Sequence, residues 1–156
     1  MRNWNIYIVL GFSIFLLSFS FNKVGGTVTI SEAKEGNSTY ALKCNKQMNE
    51  ANKVAFQYFL EIYSNQNPRT NFDSDDDYAA YTQFHLQELF SVKMNGVEKK
   101  VYGARMEQGI KGSNVYRITF YFEDDTFRKM KNLEIDFDDK LFENKKIILT
   151  AKKVKL

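Results

Sequence analysis

The 156-residue chain is poor in residues that build metal sites and covalent cross-links, with one cysteine, one histidine and one proline. A lone cysteine cannot form a disulfide within the chain, and one cysteine with one histidine supplies too few ligands for most zinc sites. With only 8 glycines besides that proline, the chain is not collagen-like or of low complexity. The net charge of +3 combines 22 basic with 19 acidic residues, which argues against a nucleic-acid partner.

The beginning of the chain has the layout of a secretory signal peptide. Arg2 precedes an uncharged apolar run over residues 6–21, and Ser20 completes a small-x-small pattern of the kind found at cleavage sites. We therefore expect a signal peptide of residues 1–20 and a single exported domain of residues 21–156, located in the periplasm or outside the cell. The alternative is a leader that is not cleaved and anchors the protein in the membrane. Its sixteen apolar residues would rise only about 24 Å as a helix, against about 30 Å of hydrocarbon.

Most of the remaining chain alternates apolar and polar residues, as strands with one buried face do. Segments 27–33 and 39–48 follow this pattern. Segment 54–63, VAFQYFLEIY, fits both period 2 and period 3.6, and its aromatic and branched residues favour a strand. From Ser91 onward we expect a meander of strands, with Asn95-Gly96 in a tight hairpin turn.

One segment has clear helical spacing and predicts one main helix at about residues 75–90. Tyr78, Tyr81, Leu86 and Leu89 would form its apolar stripe. The fold class we predict is therefore α+β and mostly β, an antiparallel meander or sandwich-like sheet with this helix packed on it.

The acidic run at the start of that helix suggests a calcium-binding loop, but the spacing of its residues does not fit one. Counted from Asp73, position 6 is Tyr78 instead of glycine, and position 12 is Phe84 instead of glutamate. Acidic residues in a first helical turn stabilise the exposed amide groups there. We expect Asp75 and Asp77 to cap the helix, and we predict neither a metal site nor a cofactor.

A second acidic row lies near the end of the chain: Glu134, Asp136, Asp138, Asp139 and Glu143. Because these residues alternate with apolar ones, we expect them to be exposed, with Arg117 and Lys152 beside them if their strands are neighbours. Cys44 lies in an alternating stretch and is expected to be a buried free thiol. No motif surrounds a nucleophile, so we predict no catalytic residue.

The second half of the chain resembles a family of small signal-peptide-bearing bacterial proteins of unknown function. The resemblance lies in a helix that runs into the Asn95-Gly96 hairpin, followed by Lys131-Asn-Leu-Glu-Ile135 and by Leu141-Phe-Glu-Asn-Lys-Lys-Ile-Ile148. It departs at Asn22-Lys-Val-Gly-Gly26, where family members begin with a histidine-aromatic strand. The resemblance implies a fold and an exported location, and it implies no activity.

We therefore expect an exported envelope accessory or binding domain whose partner is an unidentified protein or another envelope component. The candidate interface residues are Tyr102 and Tyr121, because aromatic residues are enriched in interfaces, together with Asp75 and Asp77. Contact with a membrane is expected only through an uncleaved leader. The alternatives are a hydrolase that uses a convergent pair of carboxylates and an envelope component anchored by residues 6–21.

Overall fold

A computed structural model of the protein describes residues 26–48, 54–108, 113–122 and 130–152. The predicted signal peptide lies outside these ranges, as do residues 49–53. Within the described ranges, no helix is long and apolar enough to cross a membrane.

Nine strands and one α-helix account for most of the described chain. The strands are β1 (Thr27–Glu35), β2 (Ser38–Met48), β3 (Val54–Tyr63), β4 (Phe90–Met94), β5 (Val97–Lys99), β6 (Val101–Gln108), β7 (Val115–Phe122), β8 (Asn132–Asp139) and β9 (Lys145–Lys152). They form two antiparallel sheets, one in the order β1-β2-β3-β7-β6 and the other in the order β5-β4-β8-β9. The mostly β, sandwich-like α+β fold and the strand over residues 54–63 are confirmed.

The connectivity after Ser91 differs from one continuous meander, because the chain alternates between the two sheets. The β4–β5 and β8–β9 hairpins belong to the four-stranded sheet, and the β6–β7 hairpin belongs to the five-stranded sheet. Lys100 separates β5 from β6 and marks the point where the chain passes from one sheet to the other. Alternation specifies which face of a strand is buried, but not which sheet the strand joins.

The core lies between the facing sides of the two sheets. In β7, Ile118, Phe120 and Phe122 point inward, while Arg117 and Tyr121 point outward, as the alternation predicted. The fully buried large side chains come from both sheets, from the segment after the helix and from the β8–β9 turn: Tyr40, Leu42, Leu60, Ile62, Leu86, Met94, Ile118, Phe120, Leu133, Ile135, Phe137 and Leu141. Cys44 is buried on the same side, as expected, and its thiol is not part of a disulfide.

The helix α1 (Asp75–Phe84) begins where predicted and ends earlier, and a 3-10 turn over Leu86–Leu89 completes the segment. Its N-cap is Ser74, whose Oγ accepts a hydrogen bond from the backbone N–H of Asp77 at 3.1 Å. Asp75 and Asp77, which we expected to cap the helix, lie instead in its first turn together with Asp76, where their negative charge interacts favourably with the helix dipole. Buried Tyr78 holds the helix against β6 through a contact with Met106.

The acidic row on β8 is less exposed than alternation predicted. Asp136 is 9% exposed and pairs with Lys146 at 2.7 Å, while Asp139 is fully buried. Because β7 and β8 lie in different sheets, Arg117 does not flank this row. Lys93 of the neighbouring β4 pairs with Glu134 at 3.1 Å instead.

Asp139 joins the two sheets at the β8–β9 turn. Its Oδ1 accepts hydrogen bonds from the backbone N–H groups of Leu141 and Phe142 at 2.9 and 3.0 Å, and its Oδ2 accepts one from Glu143 at 2.8 Å. The hydroxyl of Tyr40, an inward residue of β2, donates to the same Oδ2. Burial, and then the hydrogen bond to Asp139, raise the pKa of Tyr40, which keeps the phenol protonated as a donor.

The carboxylate of Glu143 forms further hydrogen bonds between the β8–β9 turn and the five-stranded sheet. Ser38 donates to Oε1 of Glu143 at 2.7 Å and also contacts Ser64 at 2.9 Å. The backbone N–H of Asn37 and the side chain of Gln66 donate to the same oxygen, each at 3.1 Å. This end of the sandwich is therefore held by hydrogen bonds, whereas the interior is held by apolar packing.

We expect Tyr40→Phe to destabilise the protein by about 1–3 kcal/mol, because it removes one donor from a buried carboxylate and leaves the ring in place. Urea unfolding followed by circular dichroism measures this change. Tyr121→Phe is the matched control, since its exposed hydroxyl is replaced in the same way at little cost. Equal unfolding free energies for the two variants would contradict the role of the Tyr40 hydroxyl.

The β4–β5 hairpin turns at Asn95 and Gly96, as the sequence predicted. Both residues have positive φ, 54° and 80°, which is the geometry of the tight turns that match the twist of a hairpin. A Cβ atom added at Gly96 would meet nothing within 4 Å, so only the backbone conformation opposes a larger residue there.

We expect Gly96→Val to lower the unfolding free energy by about 1–2 kcal/mol, because a branched side chain disfavours left-handed backbone. Thermal unfolding measures the effect. Gly103→Ala is the control, since its added Cβ would make an ordinary contact, 3.9 Å from Tyr121. A melting temperature unchanged by the valine would contradict the turn geometry.

Candidate functional site

The side of the five-stranded sheet that faces away from the core carries an ordered polar surface. Residues that alternate with the core rows of β2, β3 and β7 point to this side. We call this surface the outer face and define it by Lys43, Phe59, Glu61, Arg117, Thr119 and Tyr121. Strand register places Lys43 opposite Phe59, and Phe59 opposite Thr119.

Glu61 is the centre of a hydrogen-bonded cluster on the outer face. Its Oε1 accepts two hydrogen bonds from Arg117, from Nη2 at 2.7 Å and from Nε at 3.2 Å. Its Oε2 accepts one from the Tyr63 hydroxyl at 2.7 Å and another from the Lys43 ammonium. Arg117 also forms an ion pair with Glu107 of β6, with 4.0 Å between Nη1 and Oε2. The cluster therefore spans four neighbouring strands.

These donors determine the charge state of Glu61, which is only 6% exposed. Burial alone would raise the pKa of its carboxyl group, but hydrogen bonds from Lys43, Tyr63 and Arg117 outweigh burial and lower the pKa to about 2. The same contacts with Glu61 and Tyr63 outweigh burial at Lys43 and raise the pKa of its ammonium group. Both groups are charged throughout the physiological range.

An aromatic residue lies beneath this cluster. Phe59 is 5% exposed although it points away from the core. The guanidinium of Arg117 lies 4.6 Å from the centre of its ring, a cation–π geometry. Thr119, opposite Phe59, is also buried. The centre of the outer face is therefore packed, and Arg117 is held in one position by contacts with both Glu61 and Phe59.

The structure brings together two of the predicted interface residues, Tyr102 and Tyr121. Their rings are nearly parallel, with planes 25° apart and centroids separated by 6.4 Å. They are 66% and 46% exposed, so the pair presents aromatic surface to solvent. The pair extends the outer face along β6 and β7.

The other two predicted residues, Asp75 and Asp77, take part in local contacts of the helix. Asp75 pairs with Arg69 at 3.2 Å, and both side chains are exposed. Asp77 accepts a hydrogen bond from the Ser74 hydroxyl at 2.6 Å. These contacts give the two aspartates a structural role at the start of α1, apart from the tyrosine pair.

Glu61 and its partners were missed by reasoning from the sequence. A visible signal was the single carboxylate within the aromatic strand VAFQYFLEIY, together with the arginine within VYRITFYF. In a period-2 pattern both residues point outward, but their pairing depends on β3 and β7 being neighbours, which only the topology reveals.

The two buried carboxylates Asp139 and Glu61 are arranged for structure more than for acid–base chemistry. Both oxygens of Asp139 already accept hydrogen bonds, and Glu61 is held between two cations. His85 is exposed and contacts Glu88 at 3.1 Å. In the part of the chain that the structure describes, no three His, Cys, Asp or Glu side chains come together as a metal-binding group.

We expect Glu61 to make stability depend on pH. Because its pKa is about 2 in the folded protein and 4.5 is the ordinary value, ionised Glu61 stabilises the fold above pH 4.5. This contribution, at most about 3 kcal/mol, is lost as the pH falls from 4.5 towards 2. Urea unfolding at several pH values should show a shallower acid dependence for Glu61→Gln than for the unmodified protein.

Glu107→Gln is the control, because Glu107 contacts the same Arg117 from an exposed position. We expect it to leave the acid dependence nearly unchanged. If Glu61→Gln and the unmodified protein lost stability in parallel on acidification, the charge cluster would not contribute as described.

No protein-family model, curated protein or solved structure matches the chain. The resemblance to small signal-peptide-bearing bacterial proteins therefore stays a prediction. Any functional inference rests on the residues of the outer face and on the tyrosine pair beside them.

Proposed function

We propose that the protein is an exported accessory domain that binds a component of the cell envelope through the outer face of its five-stranded sheet. The observation that carries this proposal is the exposed Tyr102–Tyr121 pair, next to a charged cluster with defined geometry. Tyrosine and arginine are among the residues that most often contribute binding energy in interfaces.

The rigidity of the cluster also supports binding. Arg117 is held by Glu61 and by the Phe59 ring, so its guanidinium is already ordered before any partner arrives. Ordering a long side chain on association costs about 0.5–1.5 kcal/mol, and a surface that is ordered beforehand avoids part of this cost. The outer face combines such ordered groups with exposed aromatic rings.

Binding accounts for the described residues better than hydrolysis does. A hydrolase that uses two carboxylates needs one of them free to exchange protons with a substrate. Asp139 and Glu143 lie close together at the β8–β9 turn. Backbone and side-chain donors already contact both carboxylates. Their hydrogen bonds explain their positions without a substrate.

The proposed location depends on the leader, and intact mass spectrometry of protein recovered from the native envelope fraction tests it. We expect a mass that corresponds to a chain starting at Phe21, with an unmodified thiol at Cys44. A mass that retains Met1 would contradict cleavage and make the protein a membrane-anchored component. Added mass on Cys44 would contradict the burial of its side chain.

A further inference from the structure

We propose that Asn95 is a site of spontaneous deamidation, and that the native β4–β5 turn keeps it unreactive until this hairpin opens. The inference goes beyond the proposed binding function, because it depends neither on export nor on a ligand. Deamidation needs an asparagine followed by a residue whose backbone nitrogen is easily reached. Gly96 follows Asn95, and both residues are exposed at the tip of the hairpin. Glycine has no side chain that would hinder its nitrogen.

The reaction is intramolecular and needs only water as a co-reactant. The backbone nitrogen of Gly96 attacks Cγ of Asn95 and loses its proton, the new C–N bond closes a succinimide ring, and the side-chain nitrogen leaves as ammonia. Water then opens the ring at one of its two C–N bonds. Opening at Cγ gives aspartate. Opening at the main-chain carbonyl gives isoaspartate, in which the chain runs through the side-chain carbon atoms.

The backbone of the native turn keeps the two reacting atoms apart. Asn95 has a φ of 54°. A residue other than glycine with such a φ lies in the left-handed region, where ψ is about +47°. At this ψ, the Gly96 nitrogen and the Cβ atom of Asn95 lie on opposite sides of the Cα–C bond. Ring closure requires both atoms on the same side, so Asn95 must leave the turn conformation before the nitrogen can attack.

Three hydrogen bonds hold Asn95 in this conformation. Its side-chain Oδ1 accepts one from the backbone N–H of Lys131 at 2.7 Å and one from that of Asn132 at 3.2 Å. Its own backbone N–H donates to the carbonyl oxygen of Asn132 at 3.0 Å. Asn95 therefore joins the tip of the hairpin to the segment that enters β8. Turning the side chain towards the Gly96 nitrogen would break both hydrogen bonds to Oδ1.

The hairpin has the features of a segment that opens without global unfolding. β5 is a three-residue strand at the edge of the four-stranded sheet, and none of its residues is buried. Val97, which pairs with Met94 next to the turn, is 59% exposed. Segments with few buried apolar contacts open at a lower free energy than the core does. Asn95 therefore becomes reactive more often than global unfolding alone would allow.

The test follows the tryptic peptide of residues 94–99 after incubation of the purified full chain in mildly alkaline buffer. Mass spectrometry detects the replacement of the amide by an acid, and chromatographic separation of the two products identifies isoaspartate. We expect the chain unfolded in guanidinium chloride to react about tenfold faster than the folded chain, or more. Equal rates in the two states, or no reaction at Asn95 in the unfolded chain, would overturn the proposal.

A matched pair of variants separates hairpin opening from global unfolding. Val97→Gly weakens the strand pair next to the turn, and we expect it to raise the reaction rate of the folded chain about threefold or more. Ile148→Gly is the control, because Ile148 is similarly exposed, at 56%, on the opposite edge strand of the same sheet. Its rate should stay within about twofold of the unmodified protein. If both variants raised the rate equally, the reaction would proceed through global unfolding, and the assignment to hairpin opening would be wrong.

Discussion

The hydrogen bond between Tyr40 and Asp139 is the constraint on which the rest of the structure depends. Tyr40 belongs to the five-stranded sheet and Asp139 to the four-stranded sheet, and both are fully buried. Burying a carboxylate costs free energy unless its oxygens are hydrogen-bonded, and at Asp139 the donors come from the β8–β9 turn and from Tyr40 of β2. Apolar packing allows two sheets to slide and rotate to some degree, whereas this contact specifies one relative position. The ion pair between Lys145 and Glu35 joins the same ends of β9 and β1.

With the inner faces fixed in this way, alternation determines what the outer face displays. In β3, Leu60 and Ile62 pack into the core, so Phe59 and Glu61 must point outward. Both are nevertheless almost entirely buried, because Arg117 lies over the ring and contacts the carboxylate. The outer face is thus a second, smaller layer of packing, in which the groups in contact are an aromatic ring and charges instead of aliphatic side chains.

Local patterns in the sequence predicted most of the strands, the start of the helix, the Asn95-Gly96 turn and the burial of Cys44. The same patterns failed where the outcome depends on which strands are neighbours. Asp139 was expected to be exposed because it continues a polar row, but nothing local indicates that Tyr40, 99 positions earlier, lies across from it. Arg117 was assigned to the acidic row of β8, whereas its partner is Glu61 in β3. Tyr102 and Tyr121 were selected for their residue type, and the β-bulge between Val101 and Gly103 that places them side by side has no clear signature in the sequence.

The outer face therefore has two parts, one in which the polar and aromatic groups contact each other and one in which they are exposed. In the centre, Glu61 accepts four hydrogen bonds, and the aromatic surface of Phe59 is covered by Arg117. At the bulge, two rings and Arg105 are exposed to water. A rigid centre stabilises β3 and β7 against each other, and this fixes the strand on which Tyr121 lies. Because the bulge adds a residue to the edge strand β6 and leaves β7 regular, Tyr102 is exposed without disturbing the pairing between β3 and β7. Because of this division, one sheet is a stable half of the sandwich and also displays exposed aromatic surface.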